Sequence, residues 1–408
     1  MESVPLTAHA RADIRWLMLG LLWLAYASFG LTAGTIPPLV EPILNDLDMT
    51  YSQMGLVLGA WQLIYIVTAM PLGAMLDRLG VRRALGIGIG IVWISLMLRG
   101  LAVDFPTLFA SVALFGLGAP IISIGAPKVV AIWFTGKERG LAAGIYTTAP
   151  ITGMALALAT GPNWIIGLTG SWRGTSLVYG AFVLLVFVLW WIFARDQEEP
   201  KAQLPSNDDE KLPSAIKKLL QLRNMQIILV VAIITFLLNH GLNNWVPTLL
   251  LESGYSISDA GSLSAIATAS GVLGLLFIPR LAIDGRRRLI LGALIVFCFT
   301  TTAGLAIFSG PILISNVFLS VIVRVPLMPI STLILMETRG IGARRMGRAG
   351  GMFFAAAEIG GFGGPFLLGY MRDVAGSLTT GVVTLAIITS ILLLFIPLIR
   401  ENEIEMKS

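Results

Sequence analysis

The chain has 408 residues, of which 56% are hydrophobic and 12% charged; soluble domains carry about 25% charged residues, so composition excludes an ordinary soluble enzyme and indicates a polytopic membrane protein. The formal net charge of +5 comes from basic residues in short clusters between apolar runs, not the continuous patch of a nucleic-acid-binding protein. The single cysteine, Cys298, lies in an apolar run, which leaves no disulfide framework and no thiolate metal site.

The first fifteen residues, MESVPLTAHARADIR, lack the apolar core and small-residue cleavage site of a signal peptide, so the first span is expected to stay as an uncleaved anchor. A membrane span needs roughly 20 mainly apolar residues. Such runs lie near 16–40, 51–75, 84–103, 107–134, 140–164, 174–194, 225–250, 258–280, 289–309, 311–338, 349–371 and 378–399. The predicted fold class is therefore an all-α membrane protein with twelve transmembrane helices.

Between spans 2 and 3 stands GAMLDRLGVRR, residues 73–83. Gly73 permits close helix approach and Gly80 a tight turn. Asp77 can pair with a base and face a helix N-terminus, while Arg78, Arg82 and Arg83 supply the basic cluster. This loop resembles the signature of the major facilitator superfamily, and the resemblance extends over the whole chain. It implies two pseudo-symmetric six-helix bundles and a cytoplasmic gate built on these residues. A shorter echo, DGRRR, starts at Asp284 in the corresponding loop of the second half, and SWRGTSLVYGAF (171–182) is similar to the Trp-Arg start of helix 6 in that superfamily.

In span 4, Lys128 is the one charge within APIISIGAPKVVAIWF (119–134). It lies about eight residues, roughly 12 Å, from the helix end. It either snorkels to the interface or contacts a solute. PKVVAIWFTGKERG resembles the end of helix 4 in organic-anion, cyanate and nitrate-type members. Two departures count against a drug–proton antiporter: Val112 stands where drug and sugar porters carry an arginine, and APITGM (149–154) keeps only part of the antiporter pattern of helix 5. Tyr26, Gln62, Tyr65 and Tyr146 are further lining candidates.

The charged, Pro-containing stretch 195–224 reads as a cytoplasmic linker with a short surface helix after Pro213, between an N-terminal bundle (1–194) and a C-terminal bundle (225–408). In span 7, LNHGLNNW places Asn239 and Asn243 on one face and His240 and Asn244 on the adjoining one. Four such groups belong in a cavity or between helices. Arg324 in span 10 lies about fourteen residues, roughly 21 Å, from the cytoplasmic end. A charge that deep needs a reason. Glu358 in span 11 is its nearest partner in depth, as a structural ion pair or as an independent proton carrier.

The halves repeat at one offset of 206 residues: YSQMG (51–55) onto ISDAG (257–261), Pro120 onto Pro326, Arg139 onto Arg345, AG at 143–144 onto AG at 349–350. Parallel repeats place a solute site between the halves, near the midplane. The excess of Lys and Arg in alternate loops predicts a multi-pass protein of the cytoplasmic (inner) membrane with both termini in the cytoplasm. The expected function is a secondary transporter of a small, carboxylate-type anion, coupled to protons through Glu358 or His240. The solute would be bound by Arg324, Lys128, Asn239, His240, Asn243, Asn244 and Tyr146. Arginine suits a carboxylate through its planar fork. Efflux of amphipathic drugs and a non-transporting sensor are the alternatives. No catalytic constellation, cofactor motif, metal-ligand cluster or nucleic-acid partner is indicated, and a monomer in the lipid bilayer is expected.

Overall fold

The computed structural model describes residues 8–197, 212–283 and 285–400, and Asp284 lies outside them. Among these residues twelve helices are long and apolar enough to cross a membrane. They are α1 (Ala8–Ala33), α2 (Tyr51–Leu79), α3 (Val81–Gly100), α4 (Phe105–Trp133), α5 (Gly136–Thr160), α6 (Trp172–Phe193), α7 (Arg223–Glu252), α8 (Ile257–Phe277), α9 (Arg287–Ile307), α10 (Gly310–Arg324, then Leu327–Glu337), α11 (Gly342–Ala375) and α12 (Leu378–Phe395). A short helix, Leu212–Leu220, precedes α7.

Local chemistry sets the helix ends. Thr50 caps α2 through the N–H of Gln53, and Asp104 caps α4 through that of Thr107, each as a capping box. Gly80 takes φ +78° between α2 and α3, a conformation that costs glycine little. Pro326 has no N–H to continue the ladder, so α10 is interrupted near its middle. The carbonyl of Ile322, four residues earlier, packs on the bare α-carbon of Gly274 in α8. At the end of α5 a π-helical turn, Gly161–Ile165, brings Pro162 and Asn163 against α8.

Helices α1–α6 pack into one bundle and α7–α12 into a second. The even number of spans puts the start of α1 and the end of α12 on one side, here the terminal face, opposite the far face. The bundles meet along α2 with α11 and α5 with α8. On α2, Gly55 and Gly59 let the backbone of α11 close in: a methyl group at either would lie 2.6 Å from the Pro365 carbonyl or 2.9 Å from the Phe362 side chain. Gly369 of α11 packs on the Tyr51 carbonyl in the same way, and Pro162 of the π turn after α5 on Gly261 of α8.

The same helix stripes behave differently towards the terminal face. Gly73 continues the Gly59 stripe of α2, and Gly347 and Gly351 continue the Pro365 stripe of α11. Gly140 and Gly144 continue the contact stripe of α5. At all five positions nothing lies within 4 Å of where a β-carbon would be. The bundles therefore form a wedge, shut at the far face and open at the terminal face.

Candidate functional site

A cavity of about 310 Å³ lies at the apex of this wedge. Its N-terminal wall is aromatic: Tyr26 and Phe29 of α1 and Trp61 and Tyr65 of α2, with Ser123 of α4 and Met154 of α5. The C-terminal wall carries His240, Asn243 and Asn244 of α7, Thr268 of α8, and Phe354 and Glu358 of α11. The rings interlock, with Phe29 edge-on to Trp61 at 5.8 Å and Trp61 edge-on to His240 at 5.7 Å. Its size and its few converging polar groups are those of a small-molecule site.

Arg324 is only 2% exposed and stands behind this wall, not in it. Its Nε donates to Asn239 Oδ1 at 3.0 Å, its Nη2 to Asn243 Oδ1, and its Nη1 to Ser320 Oγ at 3.5 Å. One guanidinium thus holds two amide carbonyls of α7, one turn apart. Asn243 itself lines the cavity. Asn244 donates to the His240 carbonyl at 2.7 Å, bonding back along its own helix. Arg324 and Glu358 form no ion pair with each other, because the guanidinium is directed at the asparagines. Glu358 is 5% exposed and its Oε2 has no hydrogen-bond partner among the described residues. Above the cavity, Gln62 Nε2 lies 3.1 Å from His240 Nδ1 and joins the two bundles. Tyr146 stacks on Tyr26 with centroids 6.1 Å apart, one layer out from the cavity lining.

Lys128 is placed elsewhere. Its Nζ lies 2.9 Å from Asp77 Oδ1, so it joins the α2–α3 loop motif and is not part of the cavity wall. In that motif Arg82 donates to the Trp191 carbonyl at 3.0 Å and sits over the Trp191 ring, while Trp190 Nε1 donates to the Arg82 carbonyl at 2.8 Å. This ties the loop to the end of α6. Arg78 and Arg83 are exposed, and Gly73 faces open space in this state. Asp284, the echo in the second half, falls outside the described residues.

The far face holds a closure that sequence reading missed. Asp373, near the end of α11, accepts from the backbone N–H of Tyr51 at 3.0 Å and of Ser52 at 2.7 Å, and from the Ser52 hydroxyl. A carboxylate of one bundle thus caps a helix of the other and satisfies donors that a helix N-terminus leaves free. Beside it, Arg372 binds Glu252 at 2.5 Å and lies over the Tyr51 ring, whose hydroxyl donates to Glu41 at 2.7 Å. On the second seam Asn163 donates to Ser262 at 2.9 Å and accepts from Ser258. The available signal was that Thr50 supplies only one acceptor for the first turn of α2. Arg99, near the end of α3, is buried and donates to the last turn of α1 at the Thr32 carbonyl, 2.8 Å away.

Two bundles around a midplane cavity, shut on one face and open on the other, define a membrane transporter and not an enzyme. The chain belongs to the Major Facilitator Superfamily, whose sequence profile matches residues 22–365. It is 25% identical to the "Probable galactarate/D-glucarate transporter GudP" of Bacillus subtilis (strain 168), over 65% of this chain and 65% of that protein. It is 25% identical to the "Hexuronate transporter" of the same organism over 82% of each chain. Against the "Probable nitrate transporter NarT" of Staphylococcus haemolyticus (strain JCSC1435) identity is 25%, over 86% of this chain and 88% of that one. Among solved structures, an inward-facing, occupied bacterial homologue of the human lysosomal transporter Spinster superposes with TM-score 0.80 at 17% identity, covering 97% of this chain and 99% of that one.

Proposed function

We propose that the protein carries a small organic anion across the bacterial inner membrane by alternating access, together with a proton, and that its terminal face is cytoplasmic. The observation that carries this reading is the C-terminal cavity wall. There the Asn243 carbonyl is held by a buried arginine, and a carboxylate, Glu358, lines the same cavity. With its carbonyl engaged by Arg324, the Asn243 amide keeps its N–H donors for a solute in the cavity that it lines. A carboxylate or hydroxyl oxygen of the solute is what such donors recognise. An ionised Glu358 repels an anion in the same space and a protonated one does not, so proton and anion bind as a pair. This is thermodynamic linkage, and it yields symport. The names of the relatives, which include transporters of sugar acids and nitrate, support an anionic solute. The whole cavity lies within one chain, which supports a monomer as the working unit.

Uptake of a labelled hexuronate into proteoliposomes tests the reading. Arg324→Ala should reduce uptake by about 10- to 100-fold, the worth of hydrogen bonds to a charged group. Glu358→Gln should keep exchange of solute for solute but lose accumulation driven by a pH gradient. Normal uptake by folded Arg324→Ala would sink the anion assignment. The aromatic N-terminal wall supports a second reading, efflux of amphipathic compounds. Growth in the presence of such compounds, with and without the protein, separates the two, since an anion importer leaves susceptibility unchanged.

A further inference from the structure

Two buried oxygens on different bundles lack a donor. Gln62 Oε1 of α2 and Glu358 Oε2 of α11 have no hydrogen-bond partner among the described residues. Glu358 Oε2 lies against the α-carbon of Gly361, and the Gln62 side chain reaches the same point through its Cγ. A methyl group there would sit 2.6 Å from Glu358 Oε2, 3.2 Å from Gln62 Cγ and 3.2 Å from His240 Cδ2. The other end of the Gln62 amide, Nε2, is 3.1 Å from His240 Nδ1. Three polar side chains from α2, α7 and α11 thus share the space left by a missing side chain, and α2 belongs to the opposite bundle. An unsatisfied buried acceptor costs about 1–3 kcal/mol, and two acceptors cannot satisfy one another. One proton between them relieves both.

We propose that Gln62 is a positioning residue that ties the protonation of Glu358 to the joint between the bundles; this rests on the reading of Glu358 as the proton carrier. When Glu358 is protonated, its Oε2–H donates to Gln62 Oε1. Gln62 Nε2–H then donates to the lone pair of His240 Nδ1, with the ring proton on Nε2. When Glu358 gives its proton to cavity water, the amide turns over: Nε2–H donates to the carboxylate and Oε1 accepts from His240 Nδ1–H. His240 stays neutral by changing tautomer, giving its Nε2 proton to cavity water and taking one from cavity water at Nδ1. The net change is the single proton released. Opening the far face parts α2 from α11, so Gln62 serves Glu358 only while that face is shut. The proton therefore binds the two states unequally, and binding it shifts the balance between them.

The titratable groups that face Glu358 are His240 of α7 and Tyr65 of α2, with Arg324 of α10 acting on His240 from beyond. Helix α12 presents none. Tyr65 and Arg324 are both left unsubstituted in the variants that test the proposal.

The test uses the full chain in proteoliposomes with two readouts across pH. Infrared difference spectra report the carboxylic C=O band that Glu358→Gln identifies. Spin labels at Val103→Cys and Ile307→Cys, both exposed on the far face, report its opening. In Gln62→Leu and in the closer isostere Gln62→Met, the band is expected to persist but move to the higher frequency of a free acid. The pH dependence of the label distance is expected to be lost. Survival of that dependence in either folded Gln62 variant overturns the role of Gln62. Survival of the band and of the pH dependence in Glu358→Gln overturns instead the reading of Glu358 as proton carrier.

Discussion

Arg324 shows how one residue acquires its meaning from its neighbours. Its depth and charge were legible in the sequence, and so was the polar sector of α7. The link between them was not, because it joins positions 81 and 85 residues apart across two helices. The fork that suits a solute carboxylate is spent on two asparagine carbonyls, which makes Asn243 the group in contact. Asn243→Asp should then be more damaging than its small change of shape implies. The new carboxylate pairs with Arg324, cancels its field and removes two N–H donors. We expect the KM for a transported anion to rise at least about tenfold, the effect of roughly 1.4 kcal/mol. Arg324→Lys keeps the charge but has no planar fork, and should fall between wild type and Arg324→Ala. Initial rates of uptake at varied anion concentration, fitted for KM and Vmax, check both. Lys128 makes the opposite point. It looked like a solute contact because its span was otherwise apolar, but its partner Asp77 lies 51 residues away in the loop motif. Composition cannot show which of two cations meets which carboxylate.

At the scale of helices, apolar runs located all twelve spans, since the bilayer sets their length. What they could not show is how helix ends meet. The π turn at Gly161–Ile165 and the break at Pro326 both depend on backbone hydrogen bonds exchanged for packing on a glycine of α8. Asp373 is the sharpest case. In sequence it is an acid near a helix end, whereas in the fold it supplies the cap that α2 needs in its first turn. The contact exists only while the far face is shut. Asp373→Asn keeps one acceptor but loses the charge, which should weaken closure by about 1 kcal/mol and raise the far-open population roughly fivefold. Electron–electron distance distributions between labels at Val103→Cys and Ile307→Cys measure that population directly. An unchanged distribution would mean that Glu41, Tyr51, Arg372 and Glu252 close the face without Asp373.

For the whole molecule, the offset of 206 residues announced two like halves, and their pseudo-symmetry fixes where the cavity lies. It does not fix which face is open, because both arrangements satisfy the same apolar pattern. That choice is written in glycines that meet a partner at one end of a helix stripe and open space at the other. Gly369 packs so tightly on the Tyr51 carbonyl that any larger residue must keep α2 and α11 apart there. Gly369→Leu should therefore hold the far face open. If the bundles rock as rigid bodies, the terminal face must shut in response. Thr147 lies exposed on the α5 stripe that borders the open wedge. The sole native cysteine, Cys298, is buried, so a thiol at Thr147→Cys can be read alone. Alkylation of that thiol by a membrane-impermeant maleimide should be fast from the terminal side in the parent chain. In the Gly369→Leu background it should slow by about tenfold or more, the consequence of moving most molecules to the other state. Equal rates in the two backgrounds would show that the faces open independently and that the bundles do not move as units.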